Sequence, residues 1–263
     1  MCLIVFALDR HPEFQLVLAA NRDEFYERPS APAAFWDDAS QVLGGRDLAR
    51  GGSWFGVTRG GKWCAVTNFR DGRQVAQAEP SRGSLVQRYL TQDHDALAFA
   101  SSAEESLAGY NLLMGEGRAA HYSSNRGAQV RRLSPGVYGL SNHLLDSAWP
   151  KVVHGKNALG RLLDRPGTLH PETVFQILAD RTLAADAELP DTGVAQEVER
   201  MLSPAFIRSP NYGTRCSTVL LIRRDGQIFF EERSFGADDD AMPLRRFQFK
   251  SATAARASTS SDA

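Results

Sequence analysis

The chain has 263 residues, 43% hydrophobic and 23% charged, enough apolar material for a core that needs neither disulfides nor metal staples. Its 30 Lys and Arg stand against 31 Asp and Glu, a net charge of -1 without the basic excess of a dedicated nucleic-acid or anionic-membrane binder. The three cysteines, Cys2, Cys64 and Cys216, form no CxxC pair and no disulfide framework, so a reducing, cytoplasmic setting is expected.

In chain order, Cys2–Leu8 and residues 14–20 are two β-rich runs joined by a short polar turn, which predicts a hairpin. The first run is shorter than the about 20 residues of a membrane span and lacks the basic lead of a secretory signal, so no integral membrane segment is expected. Residues 54–58 and 63–69 flank Gly60-Gly61 and predict a second hairpin. Helical spacing follows over 81–89, opening at a Ser after a proline, and over 95–107. Short strands are expected at 110–114, 119–122 and 137–140. Helices are expected at 149–163, at Pro171–Leu178 with proline in the favoured first position, and at 195–202. Residues 217–222 and 227–231 flank Asp225-Gly226, a strong hairpin signal.

Strands that pair as hairpins at both ends, with helices between them, predict an α+β fold with antiparallel sheets. No repeat or linker divides the chain. The expectation is one domain over 1–250 and a disordered tail over the small, polar residues 251–263.

Cys2 holds the most informative position. A small residue after an initiator Met favours removal of that Met, which would leave a thiol and a free α-amino group on one residue. The amine, with a reference pKa of about 8, could then serve as the local base for the nucleophile. The plainer alternative is a small apolar residue opening a buried strand. Antiparallel pairing of the first hairpin brings Asn21, Arg22, Asp23 and Glu24 close to Cys2. A carboxylate there could orient a protonated amine, an Asn could donate to an oxyanion, and an Arg could grip a carboxylate or phosphate. Asn68, in Thr67-Asn68-Phe69-Arg70 at a strand end, is a second oxyanion donor by type, although Asn is also an ordinary turn residue. Ser141-Asn142-His143 and Thr214-Arg215-Cys216-Ser217 are further candidates.

Met1-Cys2 leading into a strand, Asn21-Arg22-Asp23-Glu24-Phe25, Gly51-Gly52-Ser53-Trp54-Phe55-Gly56 and Thr67-Asn68-Phe69-Arg70 occur in that order and together resemble the NRDE family, also called the Transport and Golgi Organization 2 family. Residues 139–142, 212–218 and 232–235 look like its later blocks, so the resemblance covers roughly 1–245. It implies kinship with the N-terminal nucleophile hydrolases, whose fold is a four-layer αββα sandwich, and analogy with the choloylglycine hydrolases and penicillin acylases. Carried over, Cys2 matches the nucleophile and Asp23 the carboxylate after the second strand. Asn68 and Asn142 match two site asparagines, and Arg215 is a weaker match to a site arginine. The family has also been linked to haem trafficking and to acyl-CoA or lipid metabolism.

Two functional expectations result. The first is a cysteine amidohydrolase, acyl transferase or thioesterase that forms an acyl-Cys2 intermediate on a small-molecule acyl substrate and requires no cofactor. Asn21, Arg22, Glu24, Trp54, Phe69, Arg70 and His143 would bind the substrate. The second is a non-catalytic carrier of haem or acyl-CoA on the same sandwich, with Arg22, Arg70 and Arg215 holding propionates or phosphates and Trp54, Phe55 and Phe69 lining an apolar wall. The sequence has no HExxH, no CxxCH and no paired Cys, so no metal site is expected.

Overall fold

The first hairpin sets the register for everything that follows. Strand β1 (Cys2–Leu8) pairs antiparallel with β2 (Phe14–Phe25), Leu8 opposite Leu16 and Cys2 opposite Arg22. The computed structural model describes residues 2–73, 81–102, 107–237, 242 and 244–252. Within them β10 (Gly136–Leu140), β1, β2, β11 (Tyr212–Arg223), β12 (Gln227–Ser234) and β13 (Arg245–Lys250) form one antiparallel sheet, in that spatial order. A second antiparallel sheet runs in chain order through β3 (Ser30–Trp36), β4 (Ala39–Asp47), β5 (Phe55–Thr58), β6 (Trp63–Asn68), β7 (Tyr110–Glu116), β8 (Ala119–Ser124) and β9 (Ala128–Arg132).

Successive side chains of a strand point to opposite faces, and here both faces are covered. On β1, Ile4, Phe6 and Leu8 enter a core between the sheets, where Phe6 meets Trp63 edge to face and Phe55 stacks on Phe230 at 5.7 Å. Leu3, Val5 and Ala7 face the other way, onto α3 (Pro150–Leu163) and α4 (Pro171–Leu178). The second sheet carries α1 (Gly83–Thr91) and α2 (Ala96–Ser101) on its outer face, with Leu85, Tyr89 and Phe99 buried against it. Each fully buried side chain of this size contributes about 1.5–3 kcal/mol relative to exposure. The layers are therefore αββα, as expected. Cover on both faces also explains why β1 reads as a continuous apolar run.

Several elements have no strong signature. β3 contains Pro32 and a run of alanines, and β13 reads Arg-Arg-Phe-Gln-Phe-Lys on a sheet edge with its charged residues exposed. The helix expected over 95–107 ends at Ser101, while residues 103–106 lie outside the described residues. Ser251 and Ala252 do not belong to a tail: Ser251 bonds Gly226 and Gly60, and Ala252 bonds Arg59, which closes the edge of the sandwich. The rest of the expected tail, 253–263, lies outside the described residues. No helix among the described residues is long and apolar enough to cross a membrane.

Candidate active site

Cys2 opens β1 at one end of the sandwich, beside Arg22 of β2, which in turn lies beside Cys216 of β11. The side chains of Cys2 and Arg22 line a cavity of about 120 Å³ together with Asp23, Glu24, Arg28, Asp47, Ser53, Trp54, Val66, Asn68, Ser81, Arg82 and Gly83. Burial pushes the Cys2 thiol above its ordinary value and the Asp23 carboxylate adds to the push, while Arg22 and the backbone amide of Asp23 oppose it. At neutral pH the group is thus a thiol in need of a base.

Asp23 is 1% exposed, and its Oδ1 accepts a 2.6 Å hydrogen bond from the Thr214 hydroxyl. Its backbone carbonyl accepts from Tyr212. Opposite Asp23, β11 carries one extra residue, Arg215, between the partners Thr214 and Cys216. Such a bulge re-aims neighbouring side chains beside a site. Burial raises the Asp23 carboxyl; the Lys151 ammonium, the Thr214 hydroxyl and Arg70 hold it down.

Asn68, the last residue of β6, lines the same cavity as Cys2, and its carboxamide has no hydrogen-bond partner among the described residues. Its backbone is held from behind, because Asn142 donates to the Asn68 carbonyl at 2.8 Å. Ser141 donates to the Cys2 carbonyl at 2.9 Å, and Thr67 donates to the Ser141 carbonyl at 2.7 Å. One short segment after β10 therefore fixes both the nucleophile's backbone and the asparagine opposite it.

The mouth is polar and built by close approach. Arg22 is buried, lies over the Trp54 ring at 4.2 Å, and stands 3.9 Å from Glu24. Its Nη1 is buried without a partner among the described residues. Arg28 binds Asp47 at 2.6 Å, and Arg82 donates to the Gly109 carbonyl. Gly52, at φ +75°, sits where a Cβ would meet the Gly83 backbone at 2.5 Å, so only glycine lets this loop close onto the start of α1.

The family model described as Transport and Golgi organisation 2 matches residues 1–237. The chain belongs to that family. A Bos taurus protein named Transport and Golgi organization protein 2 homolog is 38% identical over 276 residues, covering 95% of this chain and 99% of its own length. The Homo sapiens homolog is 37% identical, covering 89% and 93%, and the Drosophila melanogaster protein is 29% identical, covering 90% and 94%. Among solved structures, a variant of conjugated bile acid hydrolase from Clostridium perfringens aligns at 10% identity and a TM-score of 0.43, covering 95% of this chain and 98% of its own. A Caenorhabditis elegans N-acylethanolamine-hydrolyzing acid amidase ortholog aligns at 9% identity and a TM-score of 0.41, covering 84% and 92%.

In this Transport and Golgi organisation 2 family member the sequence candidates divide into two groups. Cys2, Arg22, Asp23, Glu24, Trp54 and Asn68 line the cavity. Asn21 does not: its amide donates to Leu178 and Ala205 and its Oδ1 accepts from Ser217, which ties β2 to the helix layer. Asn142 braces Asn68 and lies outside the cavity lining. Arg215 lies outside the cavity lining, and its Nη1 donates to the carbonyls of Phe25 and Arg28. Arg70 is buried in an ion pair with Glu199 and stacks on Trp149. The rings of Phe69 and Trp149 both lie against His143, whose Nδ1 meets Ser147 at 2.8 Å. Ser141 and Thr214, marked in the sequence as parts of two candidate segments, serve as braces, and residues with no sequence signal also belong to the site: Arg28, Asp47 and Arg82 at the mouth. The capping pattern before α1 points only to a helix start, and nothing local marks the others.

Proposed function

We propose that the protein is an N-terminal cysteine hydrolase or acyl transferase acting on an amide or thioester. The observation that carries the reading is the arrangement of Cys2, Asp23 and Asn68 around one small cavity. With Met1 cleaved, the α-amine of Cys2 takes the thiol proton and the sulfur attacks the substrate carbonyl carbon. The oxyanion that forms is met by the Asn68 carboxamide. Collapse breaks the bond to the amine or thiol leaving group, which takes the proton back from the ammonium. The resulting acyl-Cys2 thioester passes its acyl group to water or to another acceptor. Asp23 would orient the ammonium, and the unpartnered Nη1 of Arg22 offers a donor to a substrate oxygen.

The carrier reading has less support. A cavity of about 120 Å³ is well below the roughly 300–1,000 Å³ of sites for drug-sized ligands. His143 lies against the rings of Phe69 and Trp149, and its Nδ1 is engaged by Ser147.

The test is an intact mass of the native protein before and after a brief, limiting dose of iodoacetamide, followed by turnover of an amide and thioester panel. The expected result is a mass one methionine lighter, a single fast adduct on Cys2, and turnover lost in Cys2→Ala. A retained Met1, or turnover unchanged in Cys2→Ala, would overturn the reading.

A further inference from the structure

The cavity beside Cys2 is charged where a site for a neutral acyl chain would be apolar. Its large apolar side chains are Trp54 and Val66, set against three arginines and three carboxylates. Sites for neutral organic ligands are predominantly apolar, with a few polar groups to orient the ligand. This lining selects for charge, and the sign follows from which of its ions already have partners.

The carboxylates are engaged. Asp47 accepts from Arg28 at 2.6 Å and from the Ala49 N–H at 3.0 Å. Glu24 lies 3.7 Å from the same guanidinium and accepts from the Phe25 N–H. Asp23 accepts from the Thr214 hydroxyl and, in the proposed reaction, faces the Cys2 amine. Arg28 is thereby neutralised as well.

The other two arginines are not matched in this way. Arg22 is 6% exposed, and Glu24 stands 3.9 Å from it, beyond hydrogen-bond reach. Its buried Nη1 has no acceptor among the described residues. Arg82, the residue before α1, donates to the neutral Gly109 carbonyl and has no carboxylate partner among the described residues. A buried guanidinium N–H without an acceptor is costly, and a ligand that brings an anionic oxygen offsets that cost.

We infer that Arg22 and Arg82 form an anion subsite next to Cys2, so that the amide or thioester turned over there carries a carboxylate or phosphate close to its scissile carbonyl. This rests on the proposed reading of Cys2 as nucleophile and adds the substrate class to it. Arg22, lying over the Trp54 ring at 4.2 Å, supplies a donor fixed before the substrate arrives. Arg82 supplies a second positive charge from the helix side of the cavity. A volume of about 120 Å³ limits the enclosed part of the substrate to a small acid.

The test compares two alkylating agents of nearly equal size, iodoacetate and iodoacetamide, on the native full chain. In each, the Cys2 sulfur attacks the CH₂ carbon and iodide leaves, so the ratio of the two rates reports the charge around the sulfur and cancels the thiol's own reactivity. For Cys2, followed by peptide mapping, the iodoacetate-to-iodoacetamide ratio should exceed that of the same cysteine in the urea-denatured chain by about tenfold or more. The iodoacetate rate should saturate with concentration. Acetate or inorganic phosphate should protect Cys2 and acetamide should not, and the stronger protectant names the acid. Arg82→Gln should remove most of the preference, and Arg82→Lys should keep part of it.

A native ratio no higher than the denatured one, with Cys2 still selectively labelled by iodoacetamide, overturns the subsite and spares the nucleophile. No variant has to fold for that result. Acetamide protecting as well as acetate and phosphate overturns it too, as does a preference kept in full by folded Arg22→Gln and Arg82→Gln. Cys2 reacting no faster than Cys64 and Cys216 with either reagent overturns the nucleophile reading and the subsite with it.

Discussion

Asn142 donates its carboxamide N–H to the backbone carbonyl of Asn68 at 2.8 Å, so one asparagine of the site holds the other in place. The two should therefore fail differently. Asn142 is fully buried, and Asn142→Ala leaves the Asn68 carbonyl without its donor, a cost of about 1–3 kcal/mol. Asn68→Ala removes a carboxamide with no bond to lose among the described residues. Urea unfolding should show Asn142→Ala destabilised and Asn68→Ala close to native. Turnover on any substrate found should drop roughly 10²–10³-fold in Asn68→Ala, the usual loss for one oxyanion donor. Equal stability losses in both variants would contradict this division of labour.

The three cysteines should separate by reactivity in the native state. Cys64 is fully buried in β6 and Cys216 nearly so in β11, and burial pushes both thiols far up. Cys2 opens onto the cavity. Timed alkylation with peptide mapping should label Cys2 first, and the other two should react only after denaturation. Early labelling of Cys216 would show that the small pocket it lines with Arg22, Trp54 and Arg215 opens in solution.

How much of this site is readable in the sequence depends on distance along the chain. The antiparallel register of β1 with β2 follows from two apolar runs and one turn, and it suffices to put Arg22, Asp23 and Glu24 beside Cys2. Asn68 is marked because a strand ends on it. Lys151 carries no such mark: its place depends on α3 packing across β1 and β10, and residue type alone suggests a solvated lysine. The resemblance makes Asn142 and Arg215 site residues. The first instead turns to the Asn68 carbonyl, and the second is the extra residue of a bulge, directed at two carbonyls.

Arg70 and Glu199 should behave as one unit. Their side chains are 4% and 3% exposed, so removing either partner strands a buried charge, at a cost of about 3–5 kcal/mol. Arg70→Met and Glu199→Gln should each lower stability by that order, and the double variant should lose markedly less than the sum. A double-mutant cycle in urea measures the coupling, and strict additivity would show that the two charges are compensated elsewhere.

Lys151 also makes a prediction about stability and pH whose sign is set by its depressed proton affinity. Desolvation lowers its pKa from the ordinary 10.5 to about 8 in the folded chain, against the pull of Asp23. Below pH 8 folded and unfolded chains both hold the proton. Between about 8 and 10.5 the unfolded chain holds it and the folded chain has released it, so this group's contribution to stability rises with pH across that window. The full rise is on the order of 3 kcal/mol, since a tenfold change in proton affinity is worth about 1.36 kcal/mol. Urea midpoints at pH 7.5 and pH 10 should therefore diverge between the native protein and Lys151→Met. The native protein should gain on the variant as pH increases, because only it has a buried proton to lose. Parallel pH profiles would place the Lys151 ammonium in contact with solvent.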